Sequence, residues 1–354
     1  MEKIGFVYAE GFSQLDFGEG HVMRGDRYER ARQEFSRLGI VPVLEHVAPR
    51  RASAEELALF HTPDYIARVA SLNDTRGIPL GPDTPTFPGI FEVAALSVGA
   101  SLTAADLLLN DSFQIAGNLC GGWHHAFENT ARGFCIFNDI AVTARYLLEK
   151  GIAKILILDY DAHHGDGTQR AFYRDPRVLT VSIHQDPRTL YPYTTGFARE
   201  RGADGGEGYN FNCPMPPYAT EAVWLKPFET FLPRLLDYFA PDLILLQMGV
   251  DGHCDCVISH LHISLAGYQK ASRFLAKWVR ENRKKLLFLG GGGFVHPMLG
   301  RAWGVQLAEF AQTTVPLDIS EDARHCEVPI DTEQVAEVEG YLEAHVEFWE
   351  SIRR

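Results

Sequence analysis

The 354-residue sequence is poor in cysteine and has no excess of basic charge. Its 33 lysine and arginine residues stand against 46 aspartate and glutamate residues, which gives a formal net charge of −13. A nucleic-acid binder needs a basic surface to replace phosphate counterions, so this balance argues against nucleic acid as a partner. It argues equally against a polybasic membrane-surface protein. A cationic substrate such as lysine or a polyamine is compatible with it, because an acidic surface attracts cations.

The six cysteines include no CxxC pair, which predicts a reduced, cytoplasmic chain rather than a disulfide framework. The apolar runs look shorter than the ~20 residues that a membrane helix needs. The first residues, MEKIGFVYAEGF, are typical of a first β-strand and not of a signal peptide. Hydrophobic residues make up 46% of the chain and charged residues 22%, which is ordinary for a folded globular protein.

Short aliphatic runs alternate with longer periodic stretches along the chain. Strand followed by helix, repeated, predicts an α/β fold with a mostly parallel sheet, and we expect a single domain over residues 1–354. The predicted strands are Ile4–Tyr8, Phe113–Ala116, Lys154–Leu158, Val178–Ile183, Leu243–Met248 and Leu286–Leu289. Helices are predicted near residues 26–38, 62–72, 90–109, 138–150, 221–238, 265–282, 298–312 and 332–349, and long loops at 79–89 and 202–217.

Three aspartates and two histidines fall within the eight residues 159–166, directly after a predicted strand. The ligand crevice of a parallel sheet lies beyond the carboxyl ends of its strands. Asp161 and His163 point to the same side of extended backbone, and Asp251 after another strand is a candidate third ligand. Carboxylates and imidazole suit Zn²⁺ or Fe²⁺, and three protein ligands leave one position open. The simpler alternative is an aspartate that caps a helix, but capping needs no histidine.

The adjacent His124 and His125 offer a general acid and base to such a site. A pair of neighbouring histidines is, however, more often a chance feature of a loop or surface. Asp159 and Asp166 remain available to bind the second ring nitrogens and set their basicity. The glycine run at 290–293 follows a strand, where it is either a flexible loop or a way for backbone to approach the site closely. It lacks the lysine of a phosphate loop, so no nucleotide site is expected.

Together these motifs resemble the zinc-dependent histone deacetylase superfamily, which includes acetoin-utilization proteins and acetylpolyamine amidohydrolases. The resemblance extends over about residues 20–312. The matching segments are HVMRGDR at 21–27, HTPDYI at 61–66, GWHH at 122–125, GFCIFND at 133–139, DYDAHHGDG at 159–167, GVD at 249–251 and LGGGG at 289–293. The family implies the arginase/deacetylase fold, an eight-stranded, mostly parallel sheet flanked by helices.

The resemblance also implies roles for individual residues. Zn²⁺ would bind Asp161, His163 and Asp251, although the same ligands accept Fe²⁺. His125 would be the general base and acid and His124 its electrostatic partner, with Asp159 behind His124 and Asp166 behind His125. The residues implied for substrate binding are Asp83, Gly133, Phe134, Tyr191 and Gly292, with Arg27 in an internal channel. Two K⁺ sites are implied, one from Asp159, Asp161, His163, Ser182 and Ile183, the other from Phe172, Asp175, Val178 and Tyr209.

Phe294 stands where most active members of the family have a tyrosine whose hydroxyl binds the oxyanion. Loss of one such donor costs roughly 10²–10³ in rate. We therefore expect an amidohydrolase that acts on acyl-lysine or an acylated small amine and is weak on plain acetyl groups. The alternatives are an acyl-lysine-binding protein with little turnover, and a specialised deacylase in which Tyr191, Tyr193 or His296 supplies the donor.

A second departure is the segment that begins at Cys256, where the family often has Asp-Pro-Leu. Cys254 and Cys256 are predicted to be small buried thiols, with a second metal ion or a response to oxidation as the less favoured alternatives. His260 and His262 are predicted to be loop residues near the rim of the site. The acyl chain, the amine and the oligomeric state do not follow from the sequence.

Overall fold

A computed structural model describes residues 2–329 and 331–352 of the chain. Its strands are β1 (Ile4–Val7), β2 (Leu44–Val47), β3 (Ile115–Asn118), β4 (Ile155–Asp159), β5 (Val178–Gln185), β6 (Asn210–Met215), β7 (Leu243–Gln247) and β8 (Lys285–Leu289). They form one eight-stranded sheet in the order β2-β1-β3-β8-β7-β4-β5-β6. Every neighbouring pair is parallel, so the expected fold is confirmed.

Helices connect the strands and flank the sheet. They are α1 (Arg27–Arg37), α2 (Ala54–Leu57), α3 (Pro63–Ser71), α4 (Ile90–Leu109), α5 (Asp139–Glu149), α6 (Asp166–Phe172), α7 (Glu221–Trp224), α8 (Leu232–Phe239), α9 (Leu265–Glu281), α10 (Met298–Phe310), α11 (Ile319–His325) and α12 (Thr332–Ser351). A π-helical turn at Pro227–Phe231 precedes α8, and 3₁₀ turns cover Glu10–Gln14, Val41–Val43 and Asp204–Gly206.

The central strands explain where the site lies. β4 reads ILILD and β7 reads LILLQ, and every residue of both is buried. Such continuous aliphatic strands are typical of a parallel sheet that is covered on both faces. Each of these strands ends in a polar residue, and Asp159 and Gln247 are register partners. The apolar core of the sheet thus passes directly into a polar edge at the carboxyl ends of its strands.

Two strands and three short helices were not predicted from the sequence. β2 (LEHV) is a half-exposed edge strand, so it shows no long aliphatic run. β6 (NFNCPM) lies within the segment predicted to be a loop at 202–217, and that prediction was wrong. It forms the opposite edge of the sheet, where the proline at 214 is tolerated because an edge strand has one unpaired side. The short helices α2, α6 and α11 were not predicted either.

α4 has the length and composition of a membrane span, with a mean hydropathy of 1.5. The expectation that no apolar stretch reaches this length was therefore wrong. However, 67% of its most apolar window is buried inside the fold. The hydroxyl of Ser101 on this helix donates to the buried carboxylate of Asp139 at 2.6 Å. These contacts are those of a core helix, packed against the strands beside it.

A disulfide joins Cys254 and Cys326, which lie 72 residues apart in the sequence. The sequence-based expectation of a chain without disulfides, with a buried thiol at Cys254, was wrong at this pair. No local pattern relates two cysteines at such a separation, because only the fold brings them together. Cys256 is a buried free thiol, as predicted, and so are Cys120, Cys135 and Cys213.

Candidate active site

The carboxyl ends of β4 and β7 bring together Asp161, His163 and Asp251. One potential ligand atom from each residue lies within 4.8 Å of the other two. His163 Nδ1 is 3.2 Å from Asp161 Oδ1 and 2.9 Å from Asp251 Oδ2. The side chains of the two aspartates are only 2% and 1% exposed. Two buried carboxylates and one imidazole that converge in this way fit a divalent cation such as Zn²⁺ or Fe²⁺.

Hydrogen bonds from outside this group fix the orientation of both carboxylates. Asp161 Oδ2 accepts from the side chain of Gln247 at 2.8 Å and from the backbone N–H of Gly292 at 2.7 Å. Asp251 Oδ1 accepts from the backbone N–H of Ala162 at 2.8 Å. Partners of this kind orient metal ligands and tune their affinity. They leave Asp251 Oδ2 and Asp161 Oδ1 directed at the imidazole of His163.

The electrostatics of the three residues favour a positive charge between them. Burial alone would lower the pKa of His163, but the carboxylates of Asp251 and Asp161 outweigh it and raise that pKa to about 10. Burial, together with the neighbouring Asp161, raises the pKa of Asp251 to about 6. The same negative charge would stabilise a divalent cation, which binds the neutral imidazole once that proton has left.

His124 and His125 lie beside these residues, and their Nε2 atoms are 3.1 Å apart. His124 Nδ1 is 2.7 Å from Asp159 Oδ2, and His125 Nδ1 is 2.8 Å from Asp166 Oδ1. All four side chains are buried, at 6% exposure or less. Each aspartate therefore lies behind the histidine for which the resemblance implied it. An Nδ1–H held by a carboxylate leaves Nε2 of each ring to face the site.

The two imidazoles differ in proton affinity. Burial opposes a charge on His124, but Asp159 and Asp161 outweigh it and raise its pKa to about 9. Burial, followed by the charges on His124 and His163, holds the pKa of His125 well below its usual value. His124 is therefore the protonated member and His125 the neutral one. A neutral buried imidazole next to a charged one is suited to accept a proton in a reaction.

The four glycines after β8 allow the backbone to touch the carboxylates. Gly291 and Gly293 have φ of 109° and 127°, a region that favours glycine. A Cβ on Gly292 would lie 2.3 Å from Asp251 Oδ2 and 2.9 Å from Asp161 Oδ2. The glycine run is therefore a close approach to the site rather than a merely flexible loop.

A cavity of about 250 Å³ opens above these residues. Tyr191 forms one wall, with its ring edge-on to that of His125 at 4.9 Å. Asp83 and Gly133 also line the cavity, and Asp83 Oδ1 accepts a hydrogen bond from the backbone N–H of Gly133 at 2.9 Å. The residues that line the cavity besides the histidines and metal-ligand candidates are Met23, Asp83, Gly122, Trp123, Gly133, Phe134, Cys135, Tyr191, Ile258, Gly291, Gly292 and Phe294.

Phe294 lies in the wall of this cavity and brings no hydrogen-bond donor to it. The guanidinium of Arg27 lies 5.4 Å from the centre of its ring and donates to the Gly291 carbonyl at 2.8 Å, so the expected channel arginine lies behind Phe294. Of the alternative donors, Tyr191 lines the cavity. Tyr193 and His296 are not among its lining residues in the described part of the chain.

Some residues of the site were not predicted from the sequence, and some residues predicted near it lie elsewhere. Gln247 was missed, although a polar residue at the end of the aliphatic strand LILLQ is a usable signal. Ile258 was seen only as a departure from the family pattern, yet it lines the cavity. His260 and His262 flank the exposed Tyr218 instead, with ring centroids 5.9 and 5.7 Å from its own.

The residues expected to bind K⁺ lie in two groups. In the first, Asp159 of β4 and Ser182 of β5 are register partners. In the second, the turn between α6 and β5 is closed by the N–H of Asp175, which donates to the Phe172 carbonyl at 2.9 Å. The other members are Asp161, His163 and Ile183 for the first group, and Val178 and Tyr209 for the second. Binding of K⁺ at either group stays a prediction.

The family model of the histone deacetylase domain matches residues 21–310. The chain belongs to the histone deacetylase family. It is 36% identical to acetoin utilization protein AcuC of Bacillus subtilis (strain 168) over 308 residues, 84% of this chain and 79% of that protein. It is 34% identical to the protein of the same name from Staphylococcus aureus (strain MSSA476), over 85% and 80% of the two chains.

Structural comparison agrees with the sequence match. The chain is similar to the crystal structure of an HDAC homolog complexed with SAHA, with a TM-score of 0.83 and 29% sequence identity. The similarity covers 97% of this chain and 100% of that one. This histone deacetylase family member is thus an amidohydrolase of the deacetylase type, and the family is generally metal-dependent.

Substitution of Gly292 by alanine tests the close approach of the glycine loop. The new Cβ would displace the carboxylate of Asp251, and a misplacement near 1 Å costs about 10²-fold in rate. We expect a loss of hydrolysis of about that size and a lower affinity for Zn²⁺, measured by chelator competition. Gly340→Ala is the matched control, because nothing lies within 4 Å of a Cβ there. Equal activity in the two variants would contradict this role for the loop.

Proposed function

We propose that this protein removes an acyl group from acyl-lysine or from an acylated small amine by metal-dependent hydrolysis. One observation carries the proposal: a neutral, buried His125 lies beside a converging set of two carboxylates and an imidazole at the floor of a narrow cavity. General acid–base chemistry needs a proton acceptor next to the reacting centre, and this arrangement supplies one. We also propose that the protein is cytoplasmic. Its chain would form a single domain that binds K⁺.

Asp161, His163 and Asp251 would hold the metal ion. Bound there, it would polarise the amide carbonyl and make a water molecule more acidic. The residues of the chain supply the rest. His125 takes the proton of the attacking water on Nε2 and later gives it to the nitrogen of the departing amine. The charge on His124, held by Asp159, stabilises the negative charge that develops nearby.

The shape and charge of the cavity support an acylated amine as substrate. The apolar walls suit the chain that carries the amide, and the fixed Asp83 provides an acceptor near the mouth. The net charge of −13 favours cationic molecules. Lysine peptides and polyamines are both cationic, so both remain within the proposed substrate class.

Phe294 determines how fast we expect the protein to hydrolyse different acyl groups. Without a hydroxyl at this position, the negative charge on the carbonyl oxygen lacks one hydrogen bond. An acyl group that withdraws electrons, such as trifluoroacetyl, depends less on that bond. We therefore propose weak hydrolysis of acetyl groups and faster hydrolysis of activated ones. The phenol of Tyr191 on the cavity wall supports the alternative of a specialised deacylase with a different donor.

Removal of the metal and of His125 tests the reaction type. We expect a chelator to abolish hydrolysis of a trifluoroacetyl-lysine peptide and Zn²⁺ to restore it. His125→Ala should lose roughly 10²–10⁴ in kcat because the proton acceptor is gone. Its zinc content should stay that of the wild type, whereas its melting temperature should fall because the buried Asp166 loses its imidazole partner. His262→Ala, outside the cavity, is the control, and a His125→Ala variant as active as this control would refute the mechanism.

Phe294→Tyr tests the role of the missing donor. The variant should hydrolyse an acetyl-lysine peptide roughly 10²–10³-fold faster than the wild type, with a much smaller gain on the trifluoroacetyl peptide. Steady-state rates on the matched pair of peptides measure this directly.

Other outcomes of the same assay distinguish the alternatives. Efficient acetyl hydrolysis by the wild type that collapses in Tyr191→Phe would identify Tyr191 as the donor. Measurable affinity for acetyl-lysine with no metal-dependent hydrolysis of either peptide would make the protein an acyl-lysine-binding module. Either result would contradict the role proposed for Phe294.

A further inference from the structure

A second cluster of metal-ligating side chains lies outside the acyl cavity, where the loop after Asp251 meets the end of α11. Ligand atoms of His253, Cys254 and Cys326 all lie within 4.8 Å of one another. Ligand atoms of Cys254, Asp255 and His325 satisfy the same condition. The two triads share Cys254, and between them they place two sulfurs, two imidazoles and one carboxylate where two distant segments meet.

α11 has little apolar anchorage to the rest of the fold. None of its residues is fully buried, so removal of apolar surface from water contributes little to holding it in place. Ile319 packs against the apolar core but is only partly buried. The polar contacts of α11 with the body are a hydrogen bond that Asp322 Oδ2 accepts from the backbone N–H of Leu265 at 2.7 Å and the pair His325 Nε2 and Asp255 Oδ1, 2.7 Å apart. Cys326, directly after the helix, is buried. A helix with so little buried apolar surface gains much of its attachment to the body from a covalent or metal-mediated link.

The orientation of His253 is that of a metal ligand. It is fully buried, and its Nε2 lies 3.1 Å from Asp322 Oδ1. A carboxylate on one ring nitrogen is the usual way in which a ligating histidine is held, with the other nitrogen directed at the metal. That other atom, Nδ1, lies 3.9 Å from Cys254 Sγ and accepts the backbone N–H of Asp255 at 3.1 Å, a hydrogen bond that a metal ion would replace.

The distances between donor atoms show what a zinc site would require. Zinc–sulfur and zinc–nitrogen bonds of about 2.3 and 2.0 Å place neighbouring N and S ligands about 3.5 Å apart. Cys254 Sγ lies 3.9 Å from His253 Nδ1, whereas Cys326 Sγ lies 3.7 Å from the other ring nitrogen, Nε2. Ligation of both sulfurs together with Nδ1 therefore requires the disulfide to open and Cys326 Sγ to move towards that nitrogen.

We propose that the reduced protein binds a second Zn²⁺ here, through the thiolates of Cys254 and Cys326, His253 Nδ1 and His325. The His325 side chain is 61% exposed, so it can turn towards Cys254. A disulfide makes no use of the histidines, whereas a zinc site uses both. The other cysteines, at 120, 135, 213 and 256, are free thiols, which is typical of a chain kept in a reducing compartment.

The disulfide and the zinc site are two states of the same cysteine pair. Two external thiols reduce the disulfide and are themselves joined as a disulfide, which leaves two thiols on the chain. Zn²⁺ then replaces the two thiol protons, which pass to the solvent. Oxidation of the pair reverses both steps and releases the metal.

The position of this site gives it a structural role. Four protein ligands leave no open position for a substrate, which is the pattern of structural zinc. The loop that it fastens begins next to Asp251, and Ser259 on the same loop donates to the Asp251 carbonyl. Ile258 of this loop lines the acyl cavity. The second zinc would therefore hold α11 against the loop that carries a ligand of the first.

Zinc content per chain tests the proposal independently of catalysis. Protein reduced with a trialkylphosphine under anaerobic conditions is loaded with Zn²⁺, freed of excess metal and analysed by mass spectrometry of the element. We expect about two zinc ions per chain in the wild type, one in Cys326→Ser and one in Asp251→Asn. Cys256→Ser is the matched control and should retain both. Oxidised wild type should retain one.

Co²⁺ provides a spectroscopic check of the ligands. The reduced wild type should show a thiolate-to-cobalt charge-transfer band that is absent from Cys326→Ser and present in Asp251→Asn. Since Cys326 is buried and its loss can impair folding, His325→Ala supplies a surface variant, for which we expect zinc affinity to fall by roughly 10–100-fold or more. Equal zinc content in reduced wild type and Cys326→Ser would overturn the proposal and leave a disulfide only.

Discussion

Four aspartate side chains are buried at the carboxyl end of one parallel sheet, and the rest of the site follows from their charge. They are Asp159, Asp161, Asp166 and Asp251, each 4% exposed or less. A buried carboxylate is strongly unfavourable unless hydrogen bonds and opposite charges compensate it. Here imidazoles, backbone N–H groups and the side chain of Gln247 do so, and a divalent cation would complete the compensation.

The same constraint divides the roles of the histidines. The carboxylates nearest to His124 and His163 hold positive charge on those rings, and burial together with these charges keeps the pKa of His125 low. One sheet edge therefore places a candidate cation site and a proton acceptor side by side. The glycine loop belongs to the same arrangement, since only a residue without Cβ lets its N–H reach Asp161 at 2.7 Å.

The sequence predicted those parts of the molecule that local pattern determines. Aliphatic strands such as β4 and β7 were found because burial on both faces leaves an uninterrupted apolar run, and the acids and histidines after them marked the site. Edge strands β2 and β6 were missed because half-exposed or proline-containing segments carry no such run. The Cys254–Cys326 contact, and the placement of His296 outside the cavity, depend on packing between distant segments, which no local pattern records.

We propose that Asp161, His163 and Asp251 form one metal site beside His125. Anomalous diffraction at the zinc absorption edge, from crystals of the zinc-loaded protein, can locate the metal ion among these side chains. We expect a peak bounded by the two carboxylates and the His163 imidazole, with zinc–oxygen and zinc–nitrogen distances of about 2.0–2.2 Å. A zinc-loaded crystal with no peak among these three residues would contradict it.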